Sequence, residues 1–202
     1  MYKAVFLDIG GVVLQIDWSK PFEYAGIFDP RRRMEILEKF QGSEVFHLYE
    51  RGAVDTATYL SSFNEVMGLH HPNEFWEAAW KTLIVGEVEA VGEIFDLLEG
   101  RVPVYAASNT NAIHVKQMMT EFPVIKRFAK VFASNILGER KPDAAFYLTI
   151  CREAGVHPNE ALFVDDTMEN VEAARRVGIT AQRTVNSARE TVEFLRSHLG
   201  LA

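Results

Sequence analysis

Two stretches of this chain place carboxylates where apolar runs end. Asp8 follows Val5-Phe6-Leu7 and precedes Ile9-Gly10-Gly11-Val12-Val13, while Asp165 and Asp166 follow Leu162-Phe163-Val164. Short apolar runs of this kind are the pattern of buried strands, so each set of acids stands at a strand end. A carboxylate there, beside glycines that let the backbone come close, can face a phosphate at short range. Adjacent acids repel one another, and a divalent cation is the common remedy. Between the two stretches lie Ser108-Asn109-Thr110-Asn111 and, in Gly138-Glu139-Arg140-Lys141-Pro142-Asp143, Lys141. Hydroxyl and backbone N–H groups just before a helix can hold a phosphoryl oxygen. Pro142 opens a helix and would hold Lys141 at its mouth. Singly, each group has an ordinary reading: Asp and Gly form turns, polar residues cap helices, and lysines are usually solvated. Together they are the parts of a phosphoryl-transfer site.

The elements that would position these groups alternate in the second half of the chain. A helix pattern at 88–98 leads into an apolar strand at 102–107, and one at 113–122 into a strand at 130–133. A helix at 144–154, a strand at 161–164, a helix at 168–177 and an apolar segment at 179–181 follow. Gly155 and Gly178 stand where helices end. Such alternation predicts an α/β fold with a parallel sheet covered on both faces. In open sheets of this kind ligands bind beyond the carboxyl ends of the strands, where strand order reverses. Asp8, Ser108-Asn109 and Asp165-Asp166 each follow a predicted strand, at 2–7, 102–107 and 161–164, so one shared site is expected. Residues 18–86 differ. Helical spacing recurs at 30–40 behind Asp29-Pro30, at 55–67 with Asp55 or Thr56 as its cap, and at 72–84, where Trp76 and Trp80 share one face. Without a strand pattern among them, these residues predict a helical insertion, with both tryptophans in its core.

The 202 residues suffice for one domain with a modest insertion, and the net charge of −7 argues against a nucleic-acid partner. No apolar run is long enough to span a membrane and no charged-then-apolar leader opens the chain, so no membrane partner and a cytoplasmic location are expected. Cys151 is the sole cysteine; its apolar helical neighbours predict a small core residue. The six histidines show no metal-ligand spacing, so no zinc site is expected.

In order and spacing the four polar clusters resemble the haloacid dehalogenase-like superfamily, whose members are mostly phosphatases. The resemblance spans nearly the whole chain. It implies that Asp8 is the nucleophile, Ser108 the phosphate-binding hydroxyl, Lys141 the lysine that steadies both, and Asp165 and Asp166 the metal-binding acids, with magnesium as cofactor. A narrower resemblance is to bacterial α-D-glucose-1-phosphate phosphatases. They share Ser-Asn-Thr-Asn at 108–111, Arg-Lys-Pro at 140–142, Asp-Asp at 165–166 with Asn170 beyond, and the Phe-His…Glu-Arg-Gly run at 46–52. It implies a three-layer Rossmann-like catalytic core at 1–16 and 87–202 and a small helical cap at 17–86, inserted after the first strand. His47, Glu50 and Arg51 would then face the substrate from the cap. Gly10, Gly11, Ser108 and the Asn109 backbone would hold it from the core, with the Gly10 carbonyl as a further metal ligand.

One departure matters. Gly10 stands where the superfamily's phosphatases usually carry an Asp that protonates the leaving oxygen. Such acid–base help is typically worth about 10²–10⁴-fold. The glucose-1-phosphate phosphatases have glycine there too, so turnover is expected, with a preference for leaving groups that need little protonation. The expected activity is a magnesium-dependent phosphomonoesterase working through an aspartyl-phosphate on a small phosphorylated metabolite, such as glucose 1-phosphate. Two alternatives stand beside it: a non-catalytic member that binds metal and phosphate, and a 2-haloacid dehalogenase, against which the repulsion from Asp165-Asp166 speaks. The oligomeric state is left open.

Overall fold

A computed structural model describes residues 1–201. The chain enters at β1 (Ala4–Leu7), whose four residues are fully buried, and after a tight turn forms β2 (Leu14–Ile16). Five helices follow: α1 (Lys20–Tyr24), α2 (Pro30–Gln41), α3 (Glu44–Glu50), α4 (Thr56–Met67) and α5 (Asn73–Lys81). β3 (Ile84–Glu87) then returns antiparallel to β2. Strands and helices alternate from there: α6 (Gly92–Leu98), β4 (Val104–Ser108), α7 (Ala112–Glu121), β5 (Lys130–Ala133), α8 (Ser134–Leu137), α9 (Ala144–Ala154), β6 (Ala161–Asp165), α10 (Met168–Arg176), β7 (Thr180–Arg183) and α11 (Ala188–Leu199).

The main sheet is five-stranded and parallel, in the order β5-β4-β1-β6-β7. Successive side chains of a strand point to opposite faces. Val5 and Leu7 accordingly join Leu162, Val164, Ile94, Leu98 and Leu195 in one core, and Ala4 and Phe6 join Phe163, Phe146, Ile150 and Val171 in the other. Helices therefore cover both faces, the three-layer Rossmann-like arrangement expected. Cys151 is buried in the second core, and burial pushes its thiol pKa up to about 11, as befits an inert core residue. β1 lies between β4 and β6, which is where strand order reverses. Leu7 is level with Ala106 and Val164, so Asp8 emerges beside Asp165 and one step short of Ser108.

The helices between β2 and β3 carry a core of their own. Phe40 is at its centre, with the rings of Phe46, Tyr59, Phe63 and Trp80 at 4.6–5.7 Å. Asp29 caps α2 ahead of Pro30, and of the two candidates for α4 it is Asp55 that caps, accepting from Thr58 N at 2.7 Å. The strand-free reading of 18–86 needs correction. The expected helix through Ile84 stops at Lys81, and Ile84 pairs instead with Ile16 in a two-stranded ribbon. Also unforeseen were α3, which Ser43 caps through Phe46 N, and α11, which Ser187 caps through Glu190 N. Among the described residues no helix is long and apolar enough to cross a membrane.

Candidate active site

Asp8 leaves β1 with its backbone N–H on Val164 O at 2.8 Å, which fixes the carboxylate at the sheet edge. Its Oδ1 accepts from Ile9 N at 2.7 Å and stands 3.0 Å from Lys141 Nζ. Oδ2 receives no hydrogen bond from the described residues. Burial is the largest influence on this carboxyl and, with repulsion from Asp165 and Asp166, outweighs the attraction of Lys141, pushing its pKa up to about 8.

Asp165 is fully buried and saturated. Lys141 donates to its Oδ2 at 2.6 Å, while Thr167 N and the Asn170 side chain donate to Oδ1 at 2.9 and 3.0 Å. Lys141 is itself only 1% exposed. Burial pulls its pKa down, but Asp165 and Asp8 more than reverse this and hold it above the ordinary lysine value. Asn109 clamps the same lysine from behind, its amide donating to Lys141 O and accepting from Lys141 N, both at 2.8 Å. Expected as a backbone donor, Asn109 thus contributes first through its side chain.

The Ser108 hydroxyl makes only a marginal 3.5 Å contact with Asn109 O, which leaves it open for a ligand. Buried Ser134 holds the loop beyond it, accepting from Thr110 N and donating to Thr110 O. Asn111 is committed to starting α7 by accepting from His114 N. Of the two glycines only Gly11 needs its freedom, with φ +72° and a position where any Cβ would collide with the Asp166 carboxylate. A Cβ on Gly10 would stand a tight 3.3 Å from Ile16 Cδ1, the end of a flexible apolar side chain that would have to give slightly.

One oxygen each from Asp8, Asp165 and Asp166 lies within 4.8 Å of the others. Three carboxylates against one lysine leave an excess of negative charge, and an all-oxygen donor set of this kind suits a hard divalent cation. Asp165 already spends both oxygens on protein donors, so Asp166 is the more available ligand. Burial raises the pKa of Asp166, and neighbouring Asp165 adds to the effect.

The helical side closes the site through Arg140. Its guanidinium donates to His47 Nδ1 at 2.6 Å and pairs with Glu50 at 2.8 Å. Burial lowers the His47 pKa and the cations of Arg140 and Arg51 lower it further, while burial raises that of Glu50. His47, Glu50 and Arg140 share a pocket with Asp8, Lys141 and Asn170. Arg140 was missed because it reads as one more solvated cation, although its place beside Lys141 was a signal. Arg51 does the reverse: expected at the substrate, it pairs with Asp143 at 2.6 Å. Gly11, likewise expected at the substrate, packs against Asp166.

Residues 2–178 match the family described as haloacid dehalogenase-like hydrolase. The chain is a haloacid dehalogenase-like hydrolase. Among relatives in this family, the sesquiterpene phosphatase of Aspergillus oryzae is 28% identical over 96% of this chain and 95% of its own. The D-ribitol-5-phosphate phosphatase of Bacteroides thetaiotaomicron is 27% identical, over 93% and 94%. A haloacid dehalogenase family enzyme of the same bacterium, solved with magnesium and inorganic phosphate, superposes with a TM-score of 0.77 at 28% identity, covering 91% of this chain and 94% of that one. The fold is thus shared with an enzyme whose crystals held both ligands.

Proposed function

We propose that this hydrolase is a magnesium-dependent phosphomonoesterase that works through an aspartyl-phosphate at Asp8 on a small phosphorylated metabolite, a sugar phosphate such as glucose 1-phosphate being the narrower candidate. The observation that carries the reading is the asymmetry of Asp8: Oδ1 is held by Ile9 N–H and Lys141, while Oδ2 is left without a partner in the pocket. In the first step Oδ2 attacks phosphorus, the ester P–O bond breaks, and the departing oxygen takes up a proton. Water then attacks the aspartyl-phosphate and releases phosphate. Ser108 Oγ, the Asn109 backbone and Lys141 hold the equatorial oxygens as charge builds on them. Bound by Asp8, Asp166 and the Gly10 carbonyl, magnesium would supply charge neutralisation between nucleophile and phosphate. The relatives support the reaction class, and their named substrates range from a polyol phosphate to a sesquiterpene.

Metal binding has a thermal signature. Magnesium at about 100 times its Kd is expected to add about 2.7 kcal/mol, a Tm rise of roughly 5–10 °C. At one fixed magnesium concentration the rise is expected to be larger at pH 8 than at pH 6. Without metal the folded pKa of Asp8, about 8, lies above the ordinary 3.8, so the folded state binds the extra proton and loses stability as pH rises through this window. Below about pH 8 the same proton competes with the cation. Equal shifts at the two pH values in thermal scans would place the metal elsewhere.

Gly10 sets the catalytic test. With no acid at that position, rates on phosphate esters of graded leaving-group pKa are expected to fall steeply as the leaving alcohol becomes less acidic. Gly10→Asp is expected to flatten the slope, since Gly10 does not need a positive φ and Ile16 Cδ1 can shift to admit a Cβ. A shallow wild-type slope would show that another group donates the proton, and no turnover of any ester with magnesium would favour the non-catalytic alternative.

A further inference from the structure

α7 starts directly behind the Ser108 loop and packs against the helical unit. Ile113 lies in that unit's apolar core with Trp80, and Gln117 donates to Lys81 O at 3.0 Å. Between them His114, only 7% exposed, makes two further bonds. Its Nε2 is 3.0 Å from Trp80 O, in the last turn of α5, and its Nδ1 is 3.2 Å from Asn111 Nδ2. The last carbonyls of a helix lack partners within it, and α7 supplies two of them to α5 from outside.

The proton positions follow from these partners. Asn111 Oδ1 accepts from His114 N, which turns the amide nitrogen of Asn111 toward the ring. That nitrogen only donates, so Nδ1 accepts; Trp80 O only accepts, so Nε2 carries the proton. One neutral tautomer satisfies both bonds, and burial favours it by lowering the pKa of His114. A flat ring fastened at both nitrogens is a stiff bridge from the loop at 108–111 to the end of α5. Building on the phosphomonoesterase reading, in which Ser108 and the Asn109 backbone hold the phosphate, we infer that His114 is a positioning residue: acting through Asn111, it sets the phosphate-holding loop relative to α5. The two sides of the site are thereby held in one register. Small displacements of groups far from the chemistry are enough to cost up to about 10²-fold in rate.

The test measures affinity for inorganic phosphate with magnesium and, beside it, turnover of p-nitrophenyl phosphate. His114→Gln can reach Trp80 O but has no acceptor for Asn111 at the place of Nδ1; His114→Asn can accept from Asn111 but falls short of Trp80 O. Both are expected to weaken phosphate binding by about tenfold and to raise KM in step, with little change in kcat. A merely destabilised protein would instead lose kcat with its folded fraction and keep its KM. Asn111→Ser keeps α7 capped but removes the amide donor, and is expected to weaken phosphate binding to the same degree. It decides the matter where a histidine variant does not fold. Gln117→Met removes the neighbouring bond to α5 without touching the loop, and is expected to lower Tm while phosphate affinity stays within about twofold. Either histidine variant with wild-type affinity would overturn the assignment, because one of the two bonds would then be dispensable. So would a Gln117→Met variant that binds phosphate as weakly, because loosened packing alone would explain the loss. A wild type that binds phosphate without hydrolysing the aryl ester would overturn the phosphomonoesterase reading and leave the assignment to be decided by the affinities. One that does neither would overturn both.

Discussion

Asp8→Asn is expected to lower turnover by about 10⁴-fold or more while leaving the fold intact. An amide oxygen is a poor nucleophile, and removing the nucleophile of a covalent mechanism costs on that order or above. No other carboxylate can substitute: Asp165 has both oxygens committed to donors, and Asp166 lies against Gly11 rather than beside Lys141. The fold is expected to survive because burial and two neighbouring acids already disfavour the charge at Asp8, so a neutral isostere meets the environment on better terms. Steady-state rates with saturating magnesium, read beside a thermal scan, decide the matter. A folded variant within about a hundredfold of wild type would mean that phosphorus is attacked by something other than Asp8.

The second large effect concerns stability. Lys141→Met is expected to cost about 3–5 kcal/mol as well as activity, because it leaves Asp8 and Asp165 buried without their cation. At this chain length that is a fall in Tm of roughly 6–20 °C. Adding Asp165→Asn is expected to recover much of the loss, since an uncharged partner no longer needs the lysine, while turnover stays lost. A single variant that melts within about 2 °C of wild type would show that the buried pair contributes little net stability and that the lysine serves binding alone.

Which parts of this structure could be read in advance follows from how far each depends on remote contacts. β5 at 130–133 and α9 at 144–154 coincide with their sequence patterns because a buried strand and an amphipathic helix are written locally. β2 and β3 were hidden: Leu14 continues an apolar run begun at Val12, Ile84 continues the apolar face of α5, and only their mutual pairing makes either a strand. α11 was legible in Ala188, Thr191, Phe194 and Leu195, whose spacing is helical, and was simply not drawn. In the site, residue types announced an acidic, phosphate-facing cluster. Direction did not follow from type. Residue type alone does not distinguish Arg140, which turns inward to Glu50, from Arg51, which turns aside to Asp143. Similarly, two adjacent glycines look alike in sequence, yet Gly11 alone is held at a positive φ against a carboxylate.

The ribbon of β2 and β3 sets Ile16 opposite Ile84, so the helical unit departs from the sheet and rejoins it at a single point. A segment whose ends are already neighbours adds little closure entropy as it grows, about 0.6 kcal/mol for each doubling of length. The residues around Gly10 and Asp8 precede that junction, and those around Ser108, Lys141 and Asp165 follow it. Helices between the two strands can therefore be lengthened, shortened or exchanged with no strand of the main sheet changing its neighbour. The helical unit and the main sheet are thus structurally separable parts, joined by seven residues of antiparallel backbone.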